Sequence, residues 1–239
     1  MKTAAIIAAG GIGARLGAVG GKQLLLVAGK PLAAWAIQAV ADAQGVDALV
    51  VACDPEGVSR YEEQLRAAVT TSKPLSFVAG GATRSLSITA ALQSVPAGTD
   101  MILVHDGARP LVTPELVDAT IKALQDADAG IAGIIVGHPV TDTLKAAAEA
   151  PLPLIAATVP REGLWQVQTP QVFRAAALRS AYDRAKVAGH EATDDAGIME
   201  EAGYSLVLFA GSRDNIKVTV GEDLKLVETL LCARVNQER

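Results

Sequence analysis

Short apolar runs alternate with longer amphipathic segments along most of the chain. The runs are bounded by turn residues or acids, as buried strands are, and cover residues 4–8, 48–52, 75–79, 101–104, 130–136 and 205–209. The segments between them predict helices over residues 31–43, 55–69, 85–94 and 114–126, three of which begin with proline. This alternation predicts an α/β fold with a mostly parallel sheet of mainly central strands, flanked by helices through right-handed crossovers.

The C-terminal part continues the pattern less regularly. Helices are predicted near residues 175–186, after the capping sequence Thr193-Asp194-Asp195, and from Glu222 onward. We interpret residues 1–239 as one domain, because a chain of this length can bury a large core without disulfides or metals.

Composition narrows the class of protein. The chain is 50% hydrophobic but only 3% aromatic, which suits helices packed on a buried sheet and offers little for stacking nucleic-acid bases. Its formal net charge of −5 argues against nucleic-acid binding. Cys53 and Cys232 lie far apart without metal spacing, so we expect a reduced, cytoplasmic protein with both thiols buried. The N-terminal run fits neither a signal peptide nor a membrane span, and no membrane association is expected.

The turn at residues 8–17 is rich in glycine and is followed by Lys22. Glycines let backbone N–H groups face a ligand, and Arg15 and Lys22 add the positive charge that phosphates require. A P-loop is excluded because Gln23 stands where Ser or Thr should follow the lysine, and a dinucleotide fingerprint lacks its third glycine at Leu16. Two interpretations of this turn are therefore possible at this point: it binds phosphates, or it is a tight turn whose glycines only permit close packing.

A second candidate site follows the run at residues 101–104. Asp106 ends this strand beside a turn, where its carboxylate would face the crevice at the carboxyl ends of the strands. One carboxylate plus phosphate oxygens is a usual environment for Mg²⁺, so Asp106 is a candidate metal ligand. Capping of the next helix is the alternative, although Pro114 marks that helix start some residues later. His105 is expected to pack at the strand end, and no local histidine cluster suggests zinc.

Three other segments carry candidate chemistry. Gly80-Gly81 opens a helix whose Ser87 can meet a base or ribose, although a plain helix N-terminus looks similar. Residues 139–160 leave the sheet pattern, which predicts a β-hairpin protruding into a partner subunit or, alternatively, a disordered surface loop. Lys217 taken alone is typical of a solvated strand lysine.

Taken together and in this order, the motifs resemble the 2-C-methyl-D-erythritol 4-phosphate cytidylyltransferase family, to which ribitol-5-phosphate cytidylyltransferases are closely related. The resemblance extends over nearly the whole chain. The motifs that carry it are residues 8–17 with Lys22 and Gln23, Gly80-Gly81 with Arg84 and Ser87, residues 105–110, Asp142-Thr143, Arg161, residues 168–171, residues 193–195 and residues 215–219.

The resemblance implies a Rossmann-like nucleotidyltransferase fold and a homodimer joined by an arm at residues 139–160. The implied reaction transfers a cytidylyl group from CTP to 2-C-methyl-D-erythritol 4-phosphate, with release of pyrophosphate, in isoprenoid precursor synthesis by the non-mevalonate pathway. Ribitol 5-phosphate is the alternative acceptor. A non-catalytic nucleotide-binding regulatory module is the alternative from a different class, because one additional residue lies between Ala9 and Gly13 compared with the usual family spacing.

Residue roles follow from the same resemblance. Arg15, Lys22 and Lys217 would be catalytic, and Asp106 would bind Mg²⁺. Substrate contacts would come from Gly11, Gly13, Gly81, Ala82, Ser87, Asp106, Arg109, Thr143, Arg161, Thr169 and Thr219. Of these, Thr143 and Arg161 would reach the site from the partner subunit.

Overall fold

The computed structural model describes residues 1–11, 21–149, 152–190 and 192–237. Its strands are β1 (Thr3–Ala9), β2 (Leu26–Val27), β3 (Lys30–Pro31), β4 (Ala48–Cys53), β5 (Leu75–Ala79), β6 (Met101–Asp106), β7 (Ile131–Pro139), β8 (Leu144–Ala147), β9 (Ile155–Val159), β10 (Trp165–Arg174) and β11 (Ser205–Ala210). Its helices are α1 (Leu32–Asp42), α2 (Val58–Ala68), α3 (Arg84–Ser94), α4 (Pro114–Asp126), α5 (Ala175–Ala188), α6 (Asp195–Glu201) and α7 (Gly221–Gln237), with a 3₁₀ helix at Lys22–Leu24.

A seven-stranded sheet forms the centre of the described chain, in the order β11-β7-β10-β6-β1-β4-β5. Neighbouring strands are parallel except where β10 runs antiparallel to both β6 and β7. The predicted α/β fold with a mostly parallel central sheet is therefore confirmed. The strand predicted at residues 205–209 forms the sheet edge as β11, so only one of its sides is paired.

Helices cover both faces of the sheet. Since successive side chains of a strand point to opposite faces, each strand contributes to two separate hydrophobic clusters. In β1, Ala5 and Ile7 pack in the cluster that includes α1, α2 and α4, whereas Ala4 and Ile6 pack in the cluster that includes α3, α5 and α6. All four side chains are at most 1% exposed. This two-sided burial is why the strand sequences are apolar at every position rather than at every second one.

The central strand β10 was not predicted from the sequence. Its middle carries the polar residues Gln168, Thr169 and Gln171 around Pro170, and proline is rare in central strands because it cannot donate to the ladder. The pairing of β10 with β7 shifts register between Val167 and Gln171, which accommodates this irregular stretch. The three polar side chains are buried but hydrogen-bonded, so the strand is polar for reasons that concern the site rather than the core.

Three details differ from the sequence predictions. Only Pro114 begins its helix, since Pro31 precedes α1 as its capping residue and Pro55 lies in a turn before α2 starts at Val58. Cys53 is buried as predicted, and burial raises its pKa to about 12. The prediction that Cys232 is buried is wrong, because α7 packs through one side and exposes this thiol.

Residues 139–160 include a hairpin separate from the main sheet. Strands β8 and β9 pair antiparallel with each other, and most of their side chains are exposed. Large apolar side chains are among them or border them, including Leu154 at 61% and Ile155 at 69% exposure. Across the described residues, no helix is long and apolar enough to cross a membrane.

Gly133 in β7 gives a test of how closely the side chains of neighbouring strands pack on one face of the sheet. A Cβ added there would lie 2.5 Å from Phe173 Cδ1 and 3.0 Å from a Leu206 methyl, whereas one added at Gly130 meets nothing within 4 Å. We expect Gly133→Ala to lower the free energy of unfolding by about 2 kcal/mol through overpacking, measured by urea denaturation. Gly130→Ala is the control and should change stability little. Equal stabilities of the two variants would contradict the predicted close packing.

Candidate active site

A cleft of about 500 Å³ lies beyond the carboxyl ends of the parallel strands. Residues at or just after the ends of β1, β4, β5 and β6 contribute Ala8, Asp54, Gly81 and Asp106 to its wall. Parallel strands place their carboxyl ends at one edge, so the loops that follow them meet there. This is the position that the sequence predicted for a ligand crevice.

Glycines are needed where the loop after β5 meets α3. A Cβ at Gly80 would lie 2.7 Å from both the Cys53 carbonyl oxygen and Ser87 Oγ, and one at Gly81 would lie 2.3 Å from Leu86 Cβ. Ser87 Oγ accepts from the Gly81 N–H at 3.0 Å and donates to the Thr83 carbonyl at 2.9 Å. The predicted residues Gly81 and Ser87 therefore line the cleft and also fix the shape of its wall.

Asp106 is 6% exposed and is surrounded by cations. Its Oδ1 lies 3.1 Å from Arg84 Nε, and its Oδ2 lies 2.7 Å from Lys217 Nζ and 3.8 Å from Arg109 Nε. Burial alone would raise the pKa of Asp106, but Arg84, Lys217 and Arg109 outweigh it and hold this pKa well below its usual value. The carboxylate therefore stays ionised. The alternative prediction, that Asp106 caps the next helix, is wrong, because Thr113 caps α4.

Lys217 is brought to Asp106 by the segment between β11 and α7, which forms neither helix nor strand. The Val218 N–H donates to the Ala108 carbonyl at 2.8 Å, and the Val218 carbonyl accepts from Lys22 Nζ at 2.9 Å. The Asn215 carbonyl accepts from Arg109 Nη1 at 2.8 Å. Two predicted catalytic residues, Lys22 and Lys217, thus lie on neighbouring segments of the cleft wall, and Lys217 is not a solvated strand lysine.

His105 and Thr169 form a buried pair behind Asp106. Thr169 Oγ1 accepts from the Asp106 N–H at 3.0 Å and lies 3.0 Å from His105 Nδ1. His105 Nε2 lies 3.2 Å from the Arg109 carbonyl, which can only accept, so Nε2 carries the proton and Nδ1 accepts from Thr169. Burial lowers the pKa of His105 to about 4, which keeps this imidazole neutral at pH 7. As predicted, His105 packs at the strand end.

A second, smaller cavity of about 220 Å³ adjoins the first. Arg84, Asp106 and Lys217 line both cavities. The predicted residues Arg109 and Thr169 line only the smaller one. A charged cluster therefore stands between two spaces, which suits the meeting of two phosphate-bearing molecules.

The structure does not bring every predicted residue to the cleft. Gly11 and Ala82 line it, whereas Gly13 and Arg15 lie outside the described residues. Thr219 instead donates to Asp223 at 2.6 Å, where α7 begins.

Thr143 and Arg161 are exposed at the base of the arm, and Arg161 donates to the Thr141 carbonyl. Neither residue lines the cleft of its own chain.

Sequence reasoning gave no role to two residues that the structure connects with the site. Arg84 was part of a recognised motif, yet its ion pair with Asp106 needs the fold to be seen. Asp195 was read as part of a helix cap, but Asp194 is the capping residue, since its side chain accepts from the Gly197 N–H at 3.0 Å. One acidic residue is enough to cap α6. The presence of a second one, Asp195, directly after Asp194 was the sequence signal that could have indicated another role.

The chemistry available in the cleft is electrostatic. Its wall combines glycine backbone with the cations Lys22, Arg84 and Lys217, which suits phosphates, and a buried carboxylate at a strand end. Among the described residues, no group of three or more His, Cys, Asp or Glu side chains is placed to hold a metal alone. An α/β sheet with a phosphate-suited site at its strand ends is typical of nucleotide-binding enzymes.

Comparisons with known proteins identify the family. The model of the IspD family, 2-C-methyl-D-erythritol 4-phosphate cytidylyltransferase, matches residues 3–233. The chain is 38% identical over 234 residues to the protein of that name from Thermosynechococcus vestitus (strain NIES-2133 / IAM M-273 / BP-1), covering 98% of this chain and 97% of the relative. It is 39% identical over 229 residues to the one from Synechococcus sp. (strain CC9902), covering 96% and 97%.

A solved structure agrees with these relatives. The crystal structure of 2-C-methyl-D-erythritol 4-phosphate cytidylyltransferase from Thermus thermophilus has a TM-score of 0.76 and 33% identity, covering 96% of this chain and 98% of that one. The chain therefore belongs to the 2-C-methyl-D-erythritol 4-phosphate cytidylyltransferase family. The resemblance inferred from the sequence motifs is confirmed.

The buried imidazole of His105 predicts a pH dependence of stability. Between pH 6.5 and about 4 the unfolded chain protonates this imidazole and the folded chain does not, so stability falls as the pH falls through that window. The full effect is about 3 kcal/mol. We expect the free-energy difference between wild type and His105→Gln, from urea denaturation, to be about 2 kcal/mol smaller at pH 4.5 than at pH 7. A difference that is the same at both pH values would contradict a neutral buried His105.

Proposed function

We propose that this protein transfers the cytidylyl group of CTP to 2-C-methyl-D-erythritol 4-phosphate, releasing pyrophosphate, in isoprenoid precursor synthesis by the non-mevalonate pathway. The observation that carries this proposal is the Asp106 cluster, whose cations line two adjoining cavities. The relatives carry the name of this activity and match nearly the full length of the chain. Because the names of these relatives specify 2-C-methyl-D-erythritol 4-phosphate, we favour it over ribitol 5-phosphate as the acceptor.

The larger cavity takes CTP in this proposal. Gly11 and Lys22 lie on the side where the glycine-rich turn begins, so they hold the triphosphate together with Gly13 and Arg15. The loop at residues 81–82 and Ser87 line the same cavity and face the nucleoside. The smaller cavity then takes the sugar phosphate against Arg109 and Thr169.

The reaction needs no protein nucleophile. A phosphate oxygen of the acceptor forms a bond to the α-phosphorus of CTP, while the bond from that phosphorus to the bridging oxygen breaks and pyrophosphate leaves. Negative charge grows on oxygens that are already charged, so fixed cations lower the barrier by orienting the two phosphates and stabilising this charge. Lys217 lines both cavities and is the residue we place against the reacting α-phosphate.

Asp106 fits a Mg²⁺ ion that is shared with nucleotide phosphates. Asp106 is a buried, ionised carboxylate among the cations of the cleft wall, and Mg²⁺ usually takes one or two carboxylates together with phosphate oxygens. When bound, the ion neutralises charge on the triphosphate. Asp106 would hold it, and the cations now paired with Asp106 would turn to the phosphates.

The arm joins two copies of the chain in this proposal. Its strands and the turn between them expose apolar side chains, among them Leu154 and Ile155, which a second subunit would cover. Thr143 and Arg161 stand at the base of the arm outside their own cleft, so they would complete the acceptor pocket of the partner. The cytoplasmic location expected from the sequence stays a prediction.

A pyrophosphate-release assay tests the reaction directly. We expect release with CTP and 2-C-methyl-D-erythritol 4-phosphate, and much slower release when ribitol 5-phosphate replaces that acceptor. CTP binding without release from either acceptor would instead support a regulatory module. Faster release with ribitol 5-phosphate would overturn the proposed substrate.

The same assay tests the two lysines. A preorganised donor aimed at transition-state charge is worth about 10² to 10³ in rate, so Lys22→Ala and Lys217→Ala should each lower kcat by about that factor without unfolding the protein. Lys122→Ala is the matched control, because Lys122 is an exposed α4 lysine paired with Asp126. If either active-site variant kept near-normal turnover at saturating substrate concentrations, the catalytic role assigned to that lysine would be wrong.

A charge on the arm tests the dimer. Ile155→Glu places a carboxylate on an apolar side chain that is 69% exposed in the single chain, and we expect it to shift the protein to monomers in sedimentation velocity. Val187→Glu is the control, since Val187 lies on α5 and is 91% exposed. Dimers that persist in Ile155→Glu, or a monomeric wild type, would contradict an arm-mediated dimer.

A further inference from the structure

Asp195 is a completely buried carboxylate at the first residue of α6. Its Oδ1 accepts from the Tyr182 hydroxyl at 2.6 Å, and its Oδ2 lies 2.7 Å from Arg84 Nη2. A buried charge is costly unless it is paired, and here Oδ1 has a hydrogen-bond donor and Oδ2 has an ion-pair partner. The proposed reaction gives this carboxylate no part, so its presence in the interior calls for an explanation.

Arg84 is held from two sides by carboxylates. Its Nη2 faces Asp195, and its Nε lies 3.1 Å from Asp106 Oδ1. A guanidinium is a rigid planar group, so fixing the position of Nη2 restricts the direction in which the Nε–H points. Asp195 thus determines where Arg84 meets Asp106, and it balances a cation that would otherwise depend on Asp106 alone.

The α6 end that carries Asp195 is fixed to the sheet. Gln171 of β10 accepts from the Ala196 N–H at 3.1 Å and donates to Asp194 Oδ2 at 2.8 Å. Ile198 and Met199 are buried in the same helix. These contacts tie α6 to β10, so Asp195 is a buried acid on a helix that is anchored to the sheet.

We propose that Asp195 is a positioning residue, which acts through Arg84 to orient the Asp106 carboxylate for the transfer reaction, with Tyr182 orienting Asp195 in turn. This inference rests on the proposed function and assigns roles to residues outside both cavity linings. Asp195 and Tyr182 line neither cavity, whereas Arg84, the ion-pair partner of Asp195, lines both.

Three substitutions test the chain of contacts. Misplacing a reacting group by about 1 Å can cost about 100-fold in rate, so Asp195→Ala should lower kcat about 100-fold with the KM for CTP changed less than about threefold. Asp195→Asn retains an acceptor for Arg84 and should recover about tenfold of that loss. Tyr182→Phe removes one hydrogen bond and should lower kcat about fivefold. This last variant keeps the test valid if Asp195→Ala does not fold.

A purely structural role is distinguished by a matched control. Asp118 accepts from the Gln44 and Gly45 N–H groups at 3.0 and 2.7 Å, outside both cavity linings, so Asp118→Ala removes a structural carboxylate. It should lower the melting temperature and leave kcat per folded molecule unchanged. If folded Asp195→Ala and Tyr182→Phe also keep kcat within twofold of wild type, the positioning role is wrong.

A double-mutant cycle shows whether Asp195 acts through Arg84. Lysine cannot bridge two carboxylates as the guanidinium does, so Arg84→Lys should already lose the contribution of Asp195. We expect Asp195→Ala combined with Arg84→Lys to have a kcat within about threefold of Arg84→Lys alone. Losses that multiply would overturn the inference.

A crystal structure of Asp195→Asn, or of Tyr182→Phe, separates this inference from the proposed function. The expected result is that Arg84 Nε leaves its 3.1 Å contact with Asp106 Oδ1 in at least part of the molecules. An unchanged contact in both variants would refute positioning whatever the substrate is. Absence of pyrophosphate release by the wild type would refute the proposed function and leave this structural outcome decisive for Asp195.

Discussion

Asp106 has 6% of its surface exposed, and its charge is tolerated there because Arg84, Arg109 and Lys217 surround it. These cations come from the start of α3, the loop after β6 and the segment before α7, so one charge requirement joins distant parts of the chain. Removing a single partner would leave buried charge uncompensated, which costs more than the pair itself contributes. The same requirement places cations where two phosphates can approach.

Much of the fold could be predicted because burial on two faces leaves a strong pattern. The strand at residues 75–79 and the helix at residues 114–126 have the predicted bounds, and β1, β4 and β6 extend the predicted runs by one or two residues. Individual motifs of the site were ambiguous, since a glycine turn or one lysine has ordinary structural explanations. Their order along the chain carried the information, because only the fold requires all of them at one sheet edge.

The remainder depends on contacts between residues far apart in the sequence. Strand β10 escaped prediction because its polar residues serve Asp106, Asp194 and the segment before α7 rather than an apolar core. Thr169 was predicted to bind substrate, and its hydroxyl is also engaged by the Asp106 N–H and His105, which no local pattern reveals. Arg84 pairs with Asp195. In the sequence, Arg84 is only part of the Gly80-Gly81 motif and Asp195 only part of a capping sequence, so nothing local indicates that they meet.

The place of β10 also constrains how the molecule is assembled. Strands β1, β4, β5 and β6 pair side by side, and all four are complete by residue 106. Strand β7 follows them in sequence but reaches β6 only through β10, which begins at Trp165. During synthesis, half of the sheet can therefore form early, while β6 keeps an open edge until the arm and β10 have emerged. The site at Asp106 is thus among the last features to close, and the nascent chain must keep that edge unpaired for about 60 residues of further elongation.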